Sequence, residues 1–242
     1  MTTILDRQEI ADSGKSIYED GTYLEHNPSW HMEESPFKVR QILRMLRRQN
    51  LAPKTVCDIG CGGGVVLAEL QPYLPPDCVC RGYDISPDAI AMCASRGNDK
   101  LRFQVGDIRR SGEFSDLLLV LDVFEHVEDY IGLVRDIRSK GQHKLFHIPL
   151  DLSVQAVARR NGLLDRRDNF AHLHYFTKET ALRTLTDVGY KLVDYFYTPR
   201  CIELGDLLMQ KIARLPRKLC FAISQDLTVR ILGGYSLMVL AR

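Results

Sequence analysis

The sequence predicts an α/β fold built on a doubly wound, mostly parallel sheet, and three observations lead to it. A short apolar strand, Thr55–Ile59, runs into the glycine-packed turn Gly60-Cys61-Gly62-Gly63-Gly64, and a helical run, Val65 to Leu70, follows at once. Strand-sized apolar segments then alternate with helical ones through five successive units, the pattern of parallel strands joined by right-handed crossovers. Acids stand in or just after four of these strands, at Asp58, Asp84, Asp107 and Asp122. In an open parallel sheet the C-terminal strand edges line one ligand crevice, so these acids converge on it.

Each element has its own signal. Residues 1–35 are polar with scattered aromatics, among them Tyr18, Tyr23 and Trp30. Pro36 opens an amphipathic helix whose apolar residues Phe37, Val39, Ile42, Leu43 and Leu46 recur at helical spacing. After the first strand and its glycine turn come a second strand, Val79–Tyr83, and a helix that Ser86 caps and Pro87 starts. Leu101–Val105, Leu117–Leu121 and Lys144–Ile148 read as strands three to five, with a helix over Tyr130–Ser139 and Pro149 closing the fifth strand. Residues 150–175 read as a polar helical arm. Thr177 caps a helix that Gly189 ends, and Tyr190–Tyr197 and Tyr235–Leu240 read as two late strands. Between them, residues 199–234 form an insertion with an amphipathic helix near Leu204–Leu215.

Composition narrows the function classes. A formal net charge of +1 across 242 residues gives no field for nucleic acid, and no basic stripe appears. The N-terminus has no apolar signal segment, and no apolar run approaches a membrane span. Seven scattered cysteines lack zinc-site spacing and read as reduced thiols, which points to a cytoplasmic protein.

The glycine turn decides the ligand. Glycines let the backbone adopt positive φ and let a ligand approach with no Cβ in the way. A dinucleotide site needs Gly-x-Gly-x-x-Gly, but the third glycine position is Val65, and Asp58 is ill placed beside a pyrophosphate. An acid suits a cationic ligand such as an ammonium or a sulfonium. Asp58, Gly60, Gly62 and Gly64 together match an acid followed by Gly-x-Gly-x-Gly, and here the chain resembles the class I S-adenosylmethionine (SAM) methyltransferases. The resemblance implies a Rossmann-like, doubly wound, seven-stranded sheet, mostly parallel with an antiparallel last strand. It implies SAM as cofactor and one methyltransferase domain over residues 1–242, with an N-terminal lid at 1–35 and a C-terminal insertion at 199–234.

The resemblance assigns roles by position. Asp58, Gly60, Cys61 and Gly62 cradle the cofactor. Asp84 accepts from the ribose hydroxyls beside Ile85, Asp107 accepts from the adenine amino group beside Ile108, and Leu121 and Asp122 pass the methionine part. Arg40 and Lys38 are placed to reach the cofactor carboxylate. The string Asp122-Val123-Phe124-Glu125-His126-Val127 resembles the Glu-x-x-Glu-His-Val stretch of the ubiquinone-type O-methyltransferases, where two acids and a histidine are linked to magnesium. Asp122 is one methylene shorter than the glutamate of that pattern, so magnesium at Asp122, Glu125 and His126 is admitted but not expected.

A hydroxyl acceptor needs a proton acceptor, and the catalytic candidates are Glu125, His126, His172 and His174. The alternation His172-Leu173-His174 puts both rings on one side of an extended segment. His147, inside the fifth strand, reads as buried and hydrogen-bonded. Tyr23, Trp30 and His31 are expected to line a lid over the acceptor, the alternative being a leader packed permanently on the sheet with Trp30 as a core plug. The function expected is methyl transfer to a small-molecule hydroxyl by a monomer or homodimer. N-methylation of a small molecule, or a SAM-binding protein without catalysis, is the alternative.

Overall fold

The computed structural model describes residues 22–204 and 208–242. Seven strands form one sheet: β1 Thr55–Ile59, β2 Val79–Asp84, β3 Leu101–Val105, β4 Ser115–Leu121, β5 Gly141–Pro149, β6 Leu192–Thr198 and β7 Ser236–Ala241. Their order is β3-β2-β1-β4-β5-β7-β6. The pairs among β1 to β5 are parallel, and β7 runs antiparallel to both β5 and β6. The expected class and strand directions hold. Strand order reverses between β1 and β4, so the crevice opens where their C-terminal ends part. The glycine turn leaves β1 there, and the Asp122 string leaves β4 there.

Among the described residues the helices are α1 Thr22–His26, α2 Ser35–Arg48, α3 Val65–Leu70, α4 Pro87–Met92, α5 Tyr130–Asp136, α6 Val154–Ala158, α7 Leu164–Phe170, α8 Lys178–Asp187, α9 Arg200–Glu203, α10 Leu208–Ile223 and α11 Gln225–Leu232. They cover both sheet faces, and each face has its own core. One core holds Phe124, Leu133, Phe146, Leu185, Tyr190 and Leu237. The other holds Ile42, Met45, Leu67, Leu70, Leu119 and Leu145. The central strands are buried on both sides, which is why β4 reads as the unbroken run Leu117-Leu118-Leu119-Val120-Leu121 and not as an alternation.

Local signals place the ends. Ser86 Oγ accepts the Ala89 N–H at the start of α4, and Thr177 and Thr180 form a reciprocal capping pair at α8. The expected helix over Tyr130–Ser139 is α-helical only to Asp136 and closes as a tighter turn over Ile137–Lys140. The polar arm is two short helices, α6 and α7, followed by an irregular stretch. In the late insertion, the helix expected near Leu204–Leu215 continues as α10 to Ile223, past Pro216. Residues 205–207 of that segment and residues 1–21 of the leader, Tyr18 included, lie outside the described residues.

Candidate active site

The β1 turn has the conformation its glycines permit. Gly60, Gly62 and Gly64 all have left-handed φ, at 66°, 52° and 76°. The Gly60 and Cys61 N–H groups both donate to the Tyr83 carbonyl, which fastens the turn to β2. At the end of β2, Asp84 accepts from the Gly62 N–H through Oδ2 and from the Ser86 N–H through Oδ1, both at 2.9 Å. These bonds fix the carboxylate while leaving further lone pairs on each oxygen. Burial raises the Asp84 pKa, and the backbone bonds work against that rise. Asp58 is 2% exposed, and its Oδ1 has no hydrogen-bond partner among the described residues. Burial pushes its pKa up to about 8. A buried, unsatisfied acceptor beside a glycine cradle fits a cationic ligand.

The rest of this half is less open. Asp107 caps the short turn over Ile108–Arg110, accepting the Arg109 N–H through Oδ1 and the Arg109 side-chain Nε at 2.7 Å through Oδ2. Burial favours protonation of Asp107, but the Arg109 bonds outweigh it and hold the carboxyl below its ordinary value. Ile108 is buried in the core, Ile85 is exposed on the rim, and Cys61 and Leu121 are buried. Arg40 pairs with Glu203 at 2.9 Å on the outer face of α2, so the structure places it on the late insertion and not on the glycine turn.

Lys38, on the opposite side of α2, reaches the β4 end. Its Nζ lies 2.7 Å from Asp122 Oδ2, and His147 Nδ1 lies 2.6 Å from Asp122 Oδ1. His147 Nε2 stands 2.9 Å from Thr198 Oγ1, so one network joins α2, β4, β5 and β6. Asp122 has a left-handed φ of 55°, strained for a non-glycine residue and held by these contacts. Burial would raise the Asp122 pKa, but His147 and then Lys38 hold it well below the carboxylate range. The same pairing raises Lys38 against its own burial.

Three residues further on, Glu125 is in the opposite condition. It is 1% exposed, and neither carboxylate oxygen has a hydrogen-bond partner among the described residues. Burial, then the Asp122 charge, raises its pKa well above the ordinary value. His126 follows, with Nε2 3.9 Å from Glu125 Oε1 and Nδ1 3.3 Å from the Ala171 carbonyl. Burial, then the nearby His172, lowers its pKa to about 3. His172 comes from the polar arm, its ring centroid 4.8 Å from that of His126 and its Nδ1 2.6 Å from Asp151 Oδ2. Arg166 approaches the other Asp151 oxygen at 3.3 Å.

His174 does not join this group. Its Nε2 stands 3.0 Å from the Val127 carbonyl, and its ring packs on Tyr130. The expectation that both rings share one side fails for a backbone reason. The consecutive Leu173 and His174 N–H groups both donate to the Glu125 carbonyl. Regular extended chain points successive N–H groups to opposite sides, so alternation does not apply here.

The described part of the leader packs on the glycine turn. Tyr23 is buried, and burial followed by the charges of Glu125, Asp122, Glu34 and Asp84 raises its pKa. Trp30 packs edge-on against Tyr23 with centroids 4.9 Å apart. A Cβ on Gly62 would stand 2.6 Å from Trp30 Cδ1, and one on Gly63 would stand 2.5 Å from Met32 Sδ. Trp30 and His31 both have left-handed φ, 48° and 53°. His31 lies beside Phe170 of α7, so leader and polar arm meet. Glu34 pairs with Arg200, tying the leader to α9. Asp151 was missed in the sequence, although it stands two residues past β5 and the strand-end rule that singled out Asp84 would have found it. Met32 carried no signal.

A family model described as a methyltransferase domain matches residues 30–195. No curated protein matches the chain. Magnesium protoporphyrin IX methyltransferase from Synechocystis, solved with S-adenosylhomocysteine, is similar in fold, with 17% identity, a TM-score of 0.58, and coverage of 98% of this chain and 99% of that one. The N-methyltransferase NodS from Bradyrhizobium japonicum, also with S-adenosylhomocysteine, shows 20% identity and a TM-score of 0.59, over 92% of this chain and 98% of that one. A SAM-dependent methyltransferase from Archaeoglobus fulgidus shows 19% identity and a TM-score of 0.58, over 88% and 98%. No helix among the described residues is long and apolar enough to cross a membrane. With the family model spanning most of its length and the sheet order in agreement, the chain belongs to the methyltransferase-domain family.

Proposed function

We propose that the chain transfers a methyl group from SAM to a hydroxyl oxygen of a small molecule. The observation that carries this reading is the meeting, at one sheet edge, of two unlike half-sites. One is the glycine turn with Asp84 and the unsatisfied Asp58. The other is the cluster of buried Glu125 and His172 with half-buried His126. SAM supplies an activated methyl on a sulfonium, and the reaction is an in-line displacement at carbon. The residues' work is therefore alignment, exclusion of water and removal of one proton.

Asp84 is placed to accept from ribose hydroxyls, and the left-handed glycines keep side chains out of the approach path. Asp58 offers a negative partner to the cationic end of the cofactor. Its neutral form is favoured by burial, so loading a cation there releases a proton near neutral pH. Tyr23 and Trp30 cover the crevice as a lid, and the arm bearing His172 closes the facing side. Asp122 is a positioning residue, since Lys38 and His147 occupy its oxygens. We place the loss of the hydroxyl proton at the cluster Glu125, His126 and His172, which transfer to an unprotonated amine would not require. That favours oxygen over nitrogen as the acceptor.

The test is calorimetry with SAM and S-adenosylhomocysteine, then a screen of hydroxyl and amine small molecules with methyl-labelled SAM. Binding of both, with label passing to a hydroxyl acceptor, is the expected result. Label passing only to amines would overturn the oxygen assignment, and absence of binding would overturn the whole reading.

A further inference from the structure

We propose that Glu125, His126 and His172 bind a divalent transition-metal ion of the zinc or ferrous class, and that Asp122 is not one of its ligands. One donor atom from each of the three residues can be chosen so that all lie within 4.8 Å of one another. Tetrahedral zinc, bonded at about 2.0–2.2 Å, needs its ligand atoms roughly 3.4 Å apart, so modest side-chain rotation closes the set. The Glu125 Oε1 to His126 Nε2 distance of 3.9 Å is already near that value. The Glu125 carboxylate is a second, independent pointer, because it is 1% exposed and neither oxygen is satisfied among the described residues. Such a group is costly in a protein interior unless a cation or donor meets it.

The surroundings are those of metal-ligating imidazoles. Ligating histidines characteristically donate the second ring N–H to a carbonyl or a carboxylate, which fixes the tautomer and the ring orientation. Both do so here. The Ala171 carbonyl can only accept, so His126 Nδ1 carries the proton and its lone pair sits on Nε2. The Asp151 carboxylate sets His172 in the same way, with Arg166 bracing Asp151. Ala171 has a left-handed φ of 57°, and this turn sends its carbonyl to His126 and the next side chain to Asp151.

The donor set also names the class of ion. Two imidazole nitrogens and one carboxylate suit zinc, iron, cobalt or nickel, whereas magnesium takes an oxygen shell. A magnesium site on Asp122, Glu125 and His126 does not fit, because the Lys38 ammonium, 2.7 Å from Asp122, already supplies the positive charge there and would repel a cation, and Asp122 does not fall within the cluster of Glu125, His126 and His172. A bound ion of this kind would lower the pKa of an acceptor hydroxyl that reaches it, the proton leaving to water. The oxygen–methyl bond then forms as the carbon–sulfur bond breaks, and its electron pair stays on sulfur. This use of the ion rests on the reading above, whereas metal binding itself does not.

The experiment titrates the chelator-treated full chain with cobalt(II), following its visible ligand-field bands, with magnesium and zinc as competitors. One equivalent should bind and produce the bands, zinc should displace it, and millimolar magnesium should not. His172→Gln and Glu125→Gln should each weaken cobalt binding by about a hundredfold. Asp151→Asn should weaken it by about 10- to 100-fold, the range for partners of metal ligands. Asp122→Asn should retain it within a few-fold. Each variant is checked by thermal melting and S-adenosylhomocysteine affinity, which report the fold and the cofactor half separately. Cobalt bands unchanged in folded His172→Gln, or binding lost in folded Asp122→Asn and kept in His172→Gln, would overturn the proposal. Absence of bands in the wild type would also overturn it, and S-adenosylhomocysteine binding would then show that the methyltransferase reading stands without it.

Discussion

The β1–β2 end and the β4 end of the sheet both put acids at the crevice, and they use them in opposite ways. At β1–β2, backbone geometry dominates. Three left-handed glycines shape the turn, and Asp84 is held by two backbone N–H groups. At β4, side chains dominate. Asp122 is locked between Lys38 and His147, while Glu125 lies buried beside two histidines with no hydrogen-bond partner among the described residues. The difference teaches that acids equivalent by position along a strand are not equivalent in function. The acid whose charge is already balanced braces the structure, and the unbalanced one is the acid we propose as a ligand site.

Breaking the backbone end should give the largest effect. Gly62→Val places a β-branched residue at φ 52° and a Cβ 2.6 Å from Trp30. Binding of S-adenosylhomocysteine should become undetectable by calorimetry, and wild-type affinity in this variant would show that the ligand does not approach over the turn. At the side-chain end, Lys38→Met removes one counter-charge from half-buried Asp122. Breaking a fully buried pair costs about 3–5 kcal/mol, and this pair is partly exposed, so chemical denaturation should report a smaller loss, about 2–3 kcal/mol. A loss below about 1 kcal/mol would mean that Asp122 is solvated or held by His147 alone.

Much of the backbone end was legible in the sequence, because few residues other than glycine fit repeated left-handed turns and because strand ends follow from periodicity. The side-chain end was not. Lys38 and Arg40 stand side by side in the sequence pattern, yet residues two apart on a helix point about 200° apart. The docking of α2 therefore sends Lys38 to Asp122 and Arg40 to Glu203, and only the packed structure decides which goes where. His172 and His174 were separated by an irregular backbone that period-two reasoning does not describe. In the leader, Tyr23 is buried and Trp30 packs over Gly62, and nothing in its composition pointed to Met32 on Gly63.

A smaller effect sharpens the contrast through pH. Burial raises the Asp58 pKa from its ordinary value to about 8. Below that value the folded state keeps a proton that the unfolded chain has released, so the stability of the ligand-free protein falls as pH rises from the unfolded carboxyl pKa through about 8. Between pH 7 and 8 the fall from this one group is about 1 kcal/mol. Denaturation of wild type and Asp58→Asn at the two pH values should show a decrement larger by about that amount in the wild type, and equal decrements would place the titration elsewhere. Asp122, held well below the carboxylate range, adds nothing in this window.

The central claim is that the two ends divide the work, one holding the cofactor and the other handling the acceptor proton. The most direct measurement pairs S-adenosylhomocysteine affinity with methyl transfer to the hydroxyl acceptor found in the screen, for Asp84→Ala and His172→Gln. Asp84→Ala should lose about 1.5–3 kcal/mol of affinity, the range for hydrogen bonds to a charged group. His172→Gln should keep wild-type affinity while transfer falls by about 100-fold or more. Loss of affinity in folded His172→Gln, or wild-type affinity in Asp84→Ala, would contradict the division.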